Sequence, residues 1–165
     1  MSPRFALLTA VIATSIGLAA ADEFTPPPTK EGLWETHSVY SKEGKTTTDQ
    51  TVKMCQSNAT TKTGQEEGEQ LRKRNECTSH VTHPSPNTYV EEETCAKGPN
   101  PGALTKVVFT NQGDTASHTE MHINAGKSET LVVMDAKYVG SCPASMKPGD
   151  LMMGDGKIIS GAAAH

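Results

Sequence analysis

The chain has 165 residues, a formal charge of −4 and only 4% aromatic residues. So mild an acidic balance gives no electrostatic basis for binding nucleic acid or an anionic membrane surface. The length sets a single domain, and the scarcity of aromatics leaves a modest core that gains from covalent staples.

Arg4 precedes an apolar run, Phe5 to Ala19, that closes in Ala19-Ala20-Ala21. A short positive start, an apolar stretch and small residues at a cleavage point read as a secretory signal, with Asp22 the first mature residue. The run is shorter than the roughly 20 residues a spanning helix needs, so no integral membrane segment is expected after cleavage. No cysteine lies at the cleavage point to carry a lipid. Loss of the single charge of Arg4 takes the formal charge from −4 to −5. The expected location is periplasmic or secreted. The expected organisation is a signal peptide at 1–21, a Pro-rich leader at 22–29, an antiparallel β domain at 30–142 and an irregular tail at 143–165.

Phe24 to Thr29 carries three consecutive prolines and is extended. Leu33 to Tyr40 alternates as a strand, with Trp34, Thr36, Ser38 and Tyr40 on one face. A turn at Lys42–Lys45 leads to a return strand, Thr46 to Cys55. Ser57 to Glu76 has almost no apolar residue beyond Leu71; a short exposed helix near Glu66–Arg74 and a solvated loop both fit it. The stretch "CTSHVTHPSPNTYVEEETC", Cys77 to Cys95, is symmetric about Pro86. Folding it there sets Cys77 opposite Cys95, Ser79 opposite Glu93 and Val81 opposite Glu91. Strands are expected next at Leu104–Thr110, Thr115–Asn124 and Ser128–Cys142. The last is the most apolar, with Val132, Met134, Ala136, Tyr138 and Cys142 on one face. About seven strands joined by short turns predict a mainly β fold. The expected form is a single-domain antiparallel meander, a curved sheet or small open barrel, with sequence neighbours paired throughout and at most one short surface helix.

Four cysteines, Cys55, Cys77, Cys95 and Cys142, form an even set in a chain read as exported, which points to disulfides. Their number permits three connectivities. Directly opposed antiparallel residues have Cα atoms about 4.5–5.5 Å apart, within disulfide range, which favours Cys77–Cys95 and, by elimination, Cys55–Cys142. Zinc would want Cys or His pairs at closer spacing.

The order "KEGLWE" at Lys30–Glu35, "TVKMC" at Thr51–Cys55, the Cys77…Cys95 hairpin and "YVGSCPASMKPGD" at Tyr138–Asp150 resembles the bacterial domain-of-unknown-function family numbered 3617. The resemblance implies an exported, small β-protein. It carries over no activity and no catalytic residue. The strand "LVVMDAKYVG" is more apolar than the hydrophilic strands associated with that family.

Among residues able to do chemistry, His118, Glu120 and His122 would share one face of a strand and offer two imidazoles and a carboxylate to zinc or copper. Neighbours two apart on a strand stand nearly 7 Å apart, so a metal would need further ligands. A two-residue turn at Gln112-Gly113 would put Val107 and Phe109 on the histidine face; a three-residue loop would flip them. No nucleophile elbow and no phosphate-binding loop is present. The reading is therefore a non-enzymatic protein with no cofactor, binding a small apolar ligand or an envelope protein on its sheet, with the His118/Glu120/His122 metal site as the alternative.

Overall fold

The structure is a computed structural model that describes residues 30–161. The expected signal peptide, cleavage point and Pro-rich leader lie outside the described residues, as do the last four residues. In chain order the elements are β1 (Gly32–Lys42), β2 (Lys45–Gln56), α1 (Asn58–Arg74), β3 (Cys77–Ser85), β4 (Thr88–Cys95), β5 (Leu104–Asn111), β6 (Ala116–Ala125), β7 (Ser128–Gly140), β8 (Leu151–Met152) and β9 (Ile158–Ile159). All nine strands form one open sheet in the order β3-β4-β5-β6-β7-β1-β2-β8-β9, and every pairing is antiparallel.

The class is the one expected, and three details differ. Two short strands join the seven long ones: the 143–161 segment lays β8 along the edge of β2 and β9 along β8. Sequence neighbours do not pair throughout: β7 returns to pair with β1, while β2 and β3 lie six strand positions apart. β1 can sit between two neighbours because it carries no proline. The third difference is the helix, which starts at Asn58 rather than near Glu66. Its start is set by a capping box: the Ser57 side chain accepts from the Thr60 backbone N–H, and the Thr60 hydroxyl accepts from the Ser57 N–H. Arg72, Lys73 and Arg74 in the last turn complement the helix dipole. Six inter-strand spacings amount to about 29 Å, and 17 helical residues rise about 25 Å. Helix α1 therefore carries the chain across the width of the long-strand sheet, from β2 to the opposite edge at β3.

Turn chemistry fixes the registers. Glu43 and Gly44 both have positive φ (51° and 74°), the conformation a two-residue hairpin turn demands. The β5–β6 loop has four residues, 112–115, and sets Val107 against Met121 and Lys106 against His122. Val107 and Phe109 thus lie on the face opposite the histidines. Pro84 falls in edge strand β3, where the β3–β4 register shifts between Thr82 and Ser85.

The registers sort the side chains into two faces. One, the helix face, carries Trp34, Ser38, Met54, Val81, Tyr89, Glu91, Val107, Phe109, Met121, Val132, Met134 and Tyr138. The opposite face carries Glu35, His37, His80, Glu92, Lys106, His118, Glu120, His122, Asp135 and Lys137, interleaved with valines. The core lies on the helix face: Trp34, Val132, Ser38, Val81 and Glu91 are all buried there. Trp34 stands edge-on to Tyr138 at 6.1 Å, its Nε1 donates to the Lys30 carbonyl at 2.7 Å, and the Lys30 ammonium lies over the Tyr138 ring.

Two disulfides join Cys55 to Cys142 and Cys77 to Cys95. Cys55 lies two residues before the helix cap and Cys77 three residues after the last helical residue, so the bridges anchor the two strands that flank α1 and, through them, its ends.

Candidate functional site

Helix α1 crosses the helix face without packing down on it. None of its residues is buried. Thr60, Gly64, Gly68 and Arg72 recur every four residues and share one side of the helix. That side faces the sheet, because Arg72 bonds to strand β4 and Gly64 lines a cavity against β2 and β8. Two of its four residues are glycine, and a Cβ built at Gly64 or Gly68 would meet nothing within 4 Å. The side chains that would fill the gap between helix and sheet are missing from the sequence itself.

At the C-terminal end the helix is fastened by charge. Arg72 Nη2 donates to Glu91 Oε2 at 3.0 Å and Arg72 Nε to Glu93 Oε2 at 2.8 Å. Glu91 is opposed across the sheet by Val81 and Val107. Burial pushes its carboxyl above the ordinary range; the Arg72 guanidinium opposes that rise and neighbouring Glu93 adds to it.

At the N-terminal end lies a cavity of about 370 Å³, lined by Met54, Ala59, Thr63, Gly64, Pro148 and Leu151 among others. Its size falls in the range of small-molecule sites. Met54 and Leu151 are cross-strand partners. The wall formed by residues 147–150 is held by backbone bonds from Gly149 N to the Cys55 carbonyl (2.7 Å) and from Cys55 N to the Asp150 carbonyl (3.1 Å). The Asp150 carboxylate accepts from the backbone N–H of Lys147 at 2.8 Å and of Gly161 at 3.3 Å. These bonds, that from Lys147 foremost, hold its carboxyl below the ordinary range against the effect of burial.

The residues expected to bind metal lie away from this cavity, on the opposite face. His118 Nδ1 is 2.7 Å from Asp135 Oδ1 and its Nε2 is 3.2 Å from Glu120 Oε1. His122 faces Glu120 at 3.8 Å and Glu129 at 3.5 Å. The hydrogen bond to Asp135, then that to Glu120, raises the His118 pKa against partial desolvation. His118, Glu120 and His122 share a face, and both His118 nitrogens lie against carboxylates. Among the described residues, the group of metal-ligating types drawn within 4.8 Å is Cys77, Glu93 and Cys95, and its two sulfurs are joined in a disulfide. His80 lies opposite Glu92, in step with the expected Ser79–Glu93 and Val81–Glu91 pairs, while Glu92 pairs with Lys106 at 3.1 Å.

The fastening of Arg72 to Glu91 and Glu93, the glycine side of the helix and the cavity at Met54 and Leu151 were not among the residues singled out by sequence. Recurrence of Thr60, Gly64, Gly68 and Arg72 at a spacing of four was the one signal that could have found them.

No curated protein and no solved structure matches the chain. A family model described as "Protein of unknown function (DUF3617)" matches residues 29–142, and the chain belongs to that family.

Proposed function

We propose that the protein is an exported, non-enzymatic binding protein of the cell envelope that holds a small apolar molecule between helix α1 and the helix face of the sheet. The observation that carries this reading is a polar helix, tied at both ends, that spans the apolar sheet face with glycine where packing residues would stand. A helix kept at that distance costs buried apolar contact; a ligand in the gap would restore it at about 25 cal/mol per Å² covered. The cavity beside Met54, Gly64 and Leu151 is the seat of the ligand.

The test is binding of 1-anilinonaphthalene-8-sulfonate, a fluorescent anion whose aromatic rings seek apolar surface, by the oxidised protein, with native mass spectrometry to weigh any retained molecule. Gly64→Leu fills the cavity from the helix side. Replacing a helical glycine raises helix propensity by up to about 1 kcal/mol, so the fold is kept while the seat is lost. Saturable probe binding that Gly64→Leu weakens about tenfold (1.4 kcal/mol) is the expected result. Equal binding by both proteins, or none by either, overturns the reading.

A further inference from the structure

On the face opposite the helix, the register of three adjacent strands builds a row that spacing along one strand does not display. His37 of β1 lies directly opposite Asp135 of β7, and Asp135 lies directly opposite His118 of β6. Cross-strand neighbours are about 4.5–5.5 Å apart at Cα, against nearly 7 Å for residues two apart along a strand. Measured at Cα, an imidazole–carboxylate–imidazole row across the sheet is therefore tighter than His118, Glu120 and His122 along it.

One pair of the three donors is already in contact. His118 Nδ1 and Asp135 Oδ1 are 2.7 Å apart. Two ligands at about 2.0–2.1 Å from a tetrahedral zinc ion are about 3.3 Å apart, so a small opening of this pair admits the ion. His37 Nε2 sits 2.8 Å from Asp49 Oδ1; to bind an ion beside Asp135, its direct cross-strand neighbour, the ring has to leave that carboxylate. The three side chains are 47% (His37), 62% (Asp135) and 30% (His118) exposed, so solvent reaches all of them. A hollow of about 210 Å³ opens beside His37, Ser117 and Asp135, with room for the water that completes a four-ligand shell. Asp49 and Glu120 add negative charge on either side. The nearby Lys137 ammonium is paired with Glu35 at 2.8 Å, which tempers its repulsion of a cation.

We propose that His37, Asp135 and His118 form a binding site for a divalent transition-metal ion of the zinc or copper(II) class, with two nitrogens and one oxygen from three neighbouring strands. Such a borderline donor set suits those ions and not calcium or magnesium, which take oxygen shells. The site is separate from the cavity under helix α1.

Calorimetric titration of the chelator-treated, oxidised protein with zinc chloride and with copper(II) chloride tests it. One ion is expected to bind per chain. His37→Ala and His118→Ala are each expected to weaken binding by at least about tenfold, the loss that follows removal of even an outer-shell partner. His122→Ala is expected to leave affinity unchanged, with thermal melting of each variant recorded to show that it is folded. Absence of binding by the unmodified chain overturns the proposal. So does a pattern in which His122→Ala weakens binding and His37→Ala does not, since that assigns the ion to the along-strand residues instead.

Discussion

Arg72, in the last turn of helix α1, donates through Nη2 to Glu91 Oε2 on strand β4 at 3.0 Å, and through Nε to Glu93 Oε2 at 2.8 Å. Glu91 is one of three buried polar residues among the described ones, and Arg72 is the cation beside it. Removing the partner of a buried charge costs about 3–5 kcal/mol. Arg72 itself is 41% exposed, so solvent screens the pair, and Arg72→Ala is expected to destabilise by about 1–2 kcal/mol in urea denaturation. Pairing Arg72→Ala with Glu91→Gln should recover part of that loss, because the neutral amide does not need the guanidinium. The pH dependence has a definite sign. Burial raises the folded-state pKa of Glu91 above 4.5, so its contribution is fully present below pH 4.5 and is lost as pH rises through the folded value. Stability of the native chain relative to Glu91→Gln should fall over that window.

Asp150 titrates in the other direction. Its carboxylate accepts backbone N–H bonds from Lys147 and Gly161, which lower its pKa below 3.8. Its contribution is present above pH 3.8 and is lost as pH falls through the folded value. Asp150→Asn should flatten this acid limb, measured as the melting temperature between pH 2 and pH 6. Because residues 148, 149 and 161 line the cavity, Asp150→Ala should also loosen its wall and speed amide exchange at Lys147 and Gly161.

Much of this architecture was legible in the residues. The alternation in Leu33–Tyr40 placed Trp34 and Ser38 on one face, and both are buried there. The symmetry of 77–95 about Pro86 gave the register His80 to Glu92. What stayed hidden has physical causes. The pairing of β7 with β1 depends on which strands tolerate two neighbours, and local alternation is silent on that. The helix start was obscured because its cap is completed by Thr60 rather than by an acid, and the β-branched Thr60, Thr61 and Thr63 have lowered helix propensity. The row of His37, Asp135 and His118 comes from segments far apart in sequence and exists only through two strand registers. Glu91 reads as one of three consecutive acids; burial follows from its place between Val81 and Val107.

Trp34 is the one tryptophan of the chain and is 3% exposed. It fills the helix face near Met54 and Tyr138, its cross-strand partners. Its fluorescence should be blue-shifted in the native protein and shift red on unfolding, a direct probe of the core. Trp34→Ala removes the largest core side chain and the edge-on contact with Tyr138, at an expected cost of about 3–5 kcal/mol. Trp34→Phe keeps a ring against Tyr138 and leaves the Lys30 carbonyl to solvent; its smaller loss, measured by urea denaturation, separates packing from the hydrogen bond.

The two disulfides differ in sequence separation, 87 residues for Cys55–Cys142 and 18 for Cys77–Cys95. In the chain-entropy account the longer closure contributes about 4–5 kcal/mol and the shorter about 3 kcal/mol. Replacing Cys55 and Cys142 together by Ala should therefore destabilise more than replacing Cys77 and Cys95. Position predicts a second difference. Cys55 precedes the helix cap at Ser57, and the 147–150 wall bonds to the Cys55 backbone. Loss of that bridge should speed amide exchange in the first turns of α1 and weaken probe binding at the cavity. Loss of Cys77–Cys95 should speed exchange in the last turn and in β3, while Arg72 still ties the helix to Glu91 and Glu93. Exchange that rises equally along the helix in both variants would show that the ends are not held independently, and the view of α1 as a strap fixed at two separate points would fail.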